Sequence, residues 1–113
     1  MDIVTETYQK LAETLQSSLA SQGFETTEEH HHTETAGSRY VVLMNSSQAV
    51  CLTWDAEEEL FRLECCLRTE GTHGGVWEMI CQERFHPLTD GPERTQAIVE
   101  TITAKLAETL PND

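Results

Sequence analysis

Between residues 39 and 67 the apolar and polar positions alternate in a way that places three strands in one register. With Ser46-Ser47 as a two-residue turn, Val41, Leu43, Val50 and Leu52 share one face. With Ala56 to Glu59 as the next turn, Trp54, Phe61, Leu63, Cys65 and Leu67 join them. A slip of one residue would scatter this set over both faces. The pattern therefore predicts an antiparallel meander over about 39–45, 48–55 and 59–68, with one face buried.

The flanks read as helix, strand, strand and helix. Val4, Tyr8, Leu11, Ala12, Leu15 and Leu19 recur at helical spacing, with Asp2 available as a cap and Gly23 placed to end the helix in a left-handed turn. From Phe24 to Thr35 the chain is polar, rich in Thr and acidic. It reads as an edge strand whose charge discourages sheet extension. Ala36-Gly37-Ser38 is a turn, and Thr69 to Gly75, with three glycines, is a loop. Val76 to Phe85 reads as a fifth strand with Trp77, Met79, Cys81 and Phe85 on its inner side. In Asp90-Gly91-Pro92-Glu93 the spacing matches a capping box. Ile98, Ile102, Leu106 and Leu110 follow at i, i+4 intervals, with Val99 beside them, until Pro111. Lys-Leu-Ala-Glu-Thr-Leu occurs at 10–15 and again at 105–110. The similarity does not extend outward, so it reflects shared good helix formers rather than a duplication.

Each helix has one apolar stripe and the sheet has one strongly apolar face. The fold predicted is thus α+β in two layers: a five-stranded antiparallel meander with the N-terminal and C-terminal helices packed on one face. The 113 residues suit a single domain spanning 1–113.

Charge narrows the class of partner. Seven basic residues against 20 acidic ones give −13, and protonating all five His would still leave −8. Such a body repels phosphate backbones and anionic bilayers, so neither nucleic acid nor membrane is an expected partner. The start lacks a basic segment followed by an apolar run, and no apolar stretch approaches the ~20 residues of a span. The expectation is a cytoplasmic protein with four reduced cysteines.

The candidate chemistry is sparse. His30-His31-His32 places two imidazoles, His30 and His32, on one side of a strand beside Glu28 and Glu34. Two imidazoles and a carboxylate can hold zinc, but a structural site wants four ligands and no C-x-x-C pair supplies them. A solvated polar strand is the simpler reading, and no cofactor or metal is expected. Cys65 and Cys81 point inward as small hydrophobes, while Cys51 and Cys66 point outward. Arg62 and Arg68 lie near Cys66, but the surrounding acids oppose a thiolate. Gly71-Thr72-His73-Gly74-Gly75 lacks the spacing and the Lys of a phosphate loop. No catalytic constellation is present, so the chain reads as a non-enzyme.

What remains is the outer sheet face. The register that buries Leu43 and Leu52 turns Tyr40, Val42, Met44, Ala49, Cys51, Cys66 and Ile80 to the other side. A face left to water usually alternates to polar residues, so this set is the candidate protein interface, for a partner protein or a second copy. The plan of helix, sheet and helix, at this size and acidity, resembles secretion chaperones of the type III class and their bacterial relatives. That resemblance implies an adaptor acting on a protein partner. Those families usually place a helix between the third and fourth strands, and Asp55 to Glu59 is too short for one. The alternatives are an immunity or antitoxin protein that neutralises a basic partner, and a metal-binding domain built on His30 and His32.

Overall fold

Helix α1 covers Ile3–Ala20 and buries Val4, Tyr8, Leu11, Ala12, Leu15 and Leu19, the whole expected stripe, along with Thr7. The computed structural model of the protein describes residues 3–32, 37–67 and 77–109, and the side chains among them except those of residues 30–32 and 67. Gly23 ends the helix at φ 80°. Its N–H donates to the Ala20 carbonyl at 3.1 Å and the Phe24 N–H to that of Leu19 at 3.3 Å. These are the two bonds of a Schellman cap, and Phe24 and Leu19, both buried, supply the apolar contact that accompanies it. Nothing lies within 4 Å of a Cβ built at Gly23, so only backbone conformation resists substitution. Gly23→Ala should therefore cost ~1–2 kcal/mol, seen as a lower urea midpoint.

Five strands follow: β1 (Glu25–His32), β2 (Ser38–Met44), β3 (Gln48–Asp55), β4 (Leu60–Leu67) and β5 (Glu78–Arg84). All neighbours are antiparallel and the order is β1-β2-β3-β4-β5, a meander. Both expected inner turns form. The Asn45 side chain accepts the Ser47 and Gln48 N–H groups, at 2.9 and 2.7 Å, and closes the first. Asp55 does the same for Glu57 and Glu58, both at 3.1 Å, and Glu59 completes that turn at φ 53°. Helix α2 then runs Pro92–Thr109. The expected loop 69–75, together with Arg68, Leu110 and Pro111, lies outside the described residues.

Val41, Leu43, Val50, Leu52, Trp54, Phe61 and Leu63 from the sheet, Phe85 just after β5 and the buried apolar residues of both helices belong to one core cluster. The two-layer α+β arrangement thus stands as the alternation implied, with both helices on one face. The shortest dimension, 20 Å, fits one sheet and one helix layer of about 10 Å each. Trp54 and Phe61 face each other across β3 and β4 with ring centroids 4.6 Å apart, and Phe85 meets both edge-on.

An odd number of reversing strands separates the helices, so α1 and α2 run in the same direction. Contacts agree. The hydroxyl of Thr7, in the first turns of α1, lies 2.8 Å from that of Thr95, in the first turn of α2. Both helix N-termini, and the positive ends of their dipoles, therefore lie at one end of the sheet.

Two local expectations need correction. In β5, Leu63 pairs Cys81 and Glu64 pairs Met79, which leaves Ile80 as a bulge. The bulge breaks the two-residue alternation. Cys81 and Phe85 stay inward, but Met79 is 52% exposed and Trp77 39% exposed, whereas Ile80, expected outward, packs against the core. At α2, Gly91 rather than Asp90 holds the cap position. The Gly91 carbonyl accepts the Arg94 and Thr95 N–H groups, and Pro92 occupies the first helical position. The Asp90 carboxylate instead accepts the His86 N–H at 2.8 Å and closes the preceding loop.

Candidate functional site

The outer sheet face is built by β2, β3 and β4. Val42 opposes Cys51, Met44 opposes Ala49, and Ala49 opposes Cys66. Val42, Ala49 and Cys51 are buried yet lie outside the core cluster, as residues on the helix-free side should. They are 5%, 1% and 9% exposed in the isolated chain, so the apolar centre is largely shaded before any partner arrives. Short side chains sit in the middle, and longer ones stand around them at Tyr40, Met44, Glu28 and Glu64. Tyr40, Met44 and Cys66 are half-buried. Of the seven expected interface residues, Ile80 alone falls on the other side, and the bulge that moves it brings Met79 outward beside Glu64. The sequence offered no sign of this exchange, because a bulge depends on how β5 pairs rather than on its own alternation.

Polar neighbours fix the rim. The Tyr40 hydroxyl donates to Glu28 Oε1 at 2.8 Å, across from β2 to β1. That bond first, and desolvation second, push the Tyr40 phenol above its usual range. Thr53 Oγ1 lies 3.5 Å from Cys51 Sγ. Arg62 stands 3.7 Å from Asp55, so its charge is already engaged by a carboxylate.

Cys51, Cys65 and Cys81 hold their protons more tightly than a free thiol. Burial pushes Cys51 up, Glu64 and Glu28 add to the rise, and the Thr53 bond and Arg62 oppose it. Cys65 rises for the same first reason, and burial pushes Cys81 up to about 11. Iodoacetamide at about pH 8 should label these three far more slowly in the folded chain than in urea, as peptide mass spectrometry would show. The folded Cys81 thiol holds its proton more tightly than the unfolded one, at 9.0, so its contribution to stability is complete below about pH 9 and is lost as pH rises towards about 11.

The His30 and His32 side chains lie outside those described, so the metal reading rests on sequence alone. Among the described residues no group of three or more His, Cys, Asp or Glu side chains could hold an ion. No described helix is long and apolar enough to cross a membrane. Compared with protein-family models, curated proteins and solved structures, the chain matches none, so the reading of the face stands on its geometry and chemistry.

Proposed function

We propose that the protein is a non-enzymatic, cytoplasmic protein-binding domain that uses the helix-free face of its sheet as an adaptor surface. The observation that supports this reading is the apolar centre formed by Val42, Ala49 and Cys51, extended by the side chains of Tyr40, Met44, Cys66 and the exposed Met79. A sheet face that served only solvent would carry polar residues where Met44, Cys66 and Met79 stand around that shaded centre.

Charge favours a basic partner over a second copy. Glu28 and Glu64 flank the centre in the row that contains Val42, Cys51 and Met79, and the chain as a whole carries −13. Two copies face to face would bring like charges together, whereas a partner with basic residues around an apolar spot would be steered in quickly. Neutralisation of a basic toxin by an immunity protein is one form of the same interaction.

Met79→Asp and Met44→Asp should each leave the circular dichroism spectrum unchanged and abolish partner capture. Capture by the unaltered protein should weaken as salt rises. Equal capture by these variants, or loss of capture by a control on the exposed side of α2 such as Gln96→Ala, would sink the assignment to this face. Light scattering tests the self-pairing outcome, since a dimer of Kd ~10 µM is mostly assembled at ~100 µM.

A further inference from the structure

At the end of the fold where both helices begin, the chain encloses an open cleft of about 540 Å³. That volume lies within the range of small-molecule sites, about 300–1,000 Å³. It is independent of the outer sheet face. Helix α1 contributes Ile3 and Val4, the end of β3 contributes Trp54, and the loop before α2 contributes Leu88. Val4 and Trp54 are buried, and Leu88 is 98% exposed. Leu88 thus stands in water at the edge of the cleft, free to meet a ligand's apolar body.

The polar content of the cleft is unusual for this protein. Arg39 lines it. The Arg39 guanidinium sits 5.4 Å from the centre of the Tyr8 ring, and its Nε donates to the Gly37 carbonyl at 3.3 Å. The Tyr8 ring and this single bond position the guanidinium. The two terminal nitrogens have no hydrogen-bond or carboxylate partner among the described residues. Elsewhere Arg62 lies near Asp55, Arg94 near Glu83, and Arg84 donates to the Glu58 carbonyl. Among the described residues no carboxylate is paired with the Arg39 guanidinium, which leaves it open to a ligand. Glu59, which also lines the cleft, stands 3.6 Å from His86 Nδ1, on the side of the cleft away from the Arg39 strand.

From this we propose that the cleft binds a small amphiphilic carboxylic acid, with one carboxylate on the Arg39 fork and an apolar body against Trp54, Ile3 and Leu88. Arg–carboxylate pairs are often bidentate, and that geometry distinguishes a carboxylate from other heads. The positive ends of two codirectional helices at the same end act in the same sense.

The test uses three probes that share a body and differ in the head: 3-phenylpropionate, 3-phenylpropanol and 3-phenylpropylamine. Each is titrated into ¹⁵N-labelled protein. 3-Phenylpropionate should shift the Trp54 indole and the Val4 and Leu88 amides and saturate, since a fragment of Kd ~1 mM is close to saturation by ~10 mM. The alcohol should move the same signals with about tenfold weaker affinity, the difference of a charge-assisted bond. The amine should not saturate at these positions. Arg39→Gln should reduce the acid to the alcohol's affinity, and Arg39→Lys should restore only part, because it keeps charge without the fork. Leu88→Ser, at a site too exposed to affect folding, should weaken acid and alcohol alike. Equal affinity for the three heads, no saturable shift with the acid, or an Arg39→Gln variant that binds the acid unchanged would each overturn the proposal.

Discussion

Leu52→Ala is expected to remove about 2–5 kcal/mol of stability, the span seen for deep core truncations. Leu52 is 0% exposed, at the middle of the central strand β3. Its neighbours across the sheet are Val41 on β2 and Leu63 on β4, both buried against the same helices. Strands on both sides and helices above leave little freedom to close around the missing atoms, which places the loss towards the upper part of that span. Against a total of ~5–15 kcal/mol for a domain, it would dominate the folding equilibrium. Urea denaturation should show a large fall in midpoint with an unchanged slope. A loss under ~1 kcal/mol would show that the helices do not cover this face. Leu52→Ala and Leu63→Ala together should not sum, since the two side chains oppose each other directly and share one cavity.

The second large effect concerns a pair of hydroxyls. Thr7 Oγ1 donates to the Ile3 carbonyl at 2.7 Å and lies 2.8 Å from Thr95 Oγ1. A carbonyl can only accept, so the Thr7 proton is committed to Ile3. Thr95 must then be the donor between the helices. Both residues are buried, at 0% and 4% exposure. The two valine substitutions should therefore differ. Thr7→Val removes the acceptor and strands the Thr95 hydroxyl, at a cost of ~1–3 kcal/mol. Thr95→Val leaves the Thr7 hydroxyl bonded to Ile3 and should cost well under half of that. The double variant should recover most of the loss, because no buried hydroxyl is left without a partner. Equal costs for the two single changes would mean that the donor assignment is wrong.

Much of this fold was legible in alternation and helical spacing. Val41 to Leu52 named their own register, because only one pairing collects four large aliphatic residues on one side, and Gly23 marked a helix end that only a left-handed residue could make. The parts that were not legible depend on groups distant in sequence. The Ile80 bulge arises from how β5 meets β4, and it exchanges Ile80 for Met79 on the outer face. Asp90 had the right spacing for a cap, but the His86 N–H lay closer to hand. Thr7 and Thr95 read as ordinary helix positions on either side of the whole sheet. The outer face was visible as a list of residues, but its shading was not, since exposure depends on the reach of Glu28, Glu64, Tyr40 and Met44 around three small side chains. The cleft left no pattern at all, because α1, β2, β3 and the loop before α2 each supply only one or two of its residues.

The shared direction of the two helices also governs where attached segments go. Each helix has 18 residues and is ~27 Å long. A polypeptide joined ahead of Ile3 arrives at the mouth of the cleft, beside Arg39 and Leu88. One joined after Thr109 departs from the opposite end, a helix length away. A bulky fusion at the front should therefore compete with cleft ligands, and the same fusion at the back should not. Spanning from Thr109 back to Ile3 takes at least ~8 residues, enough in extended form to run the length of the helix layer.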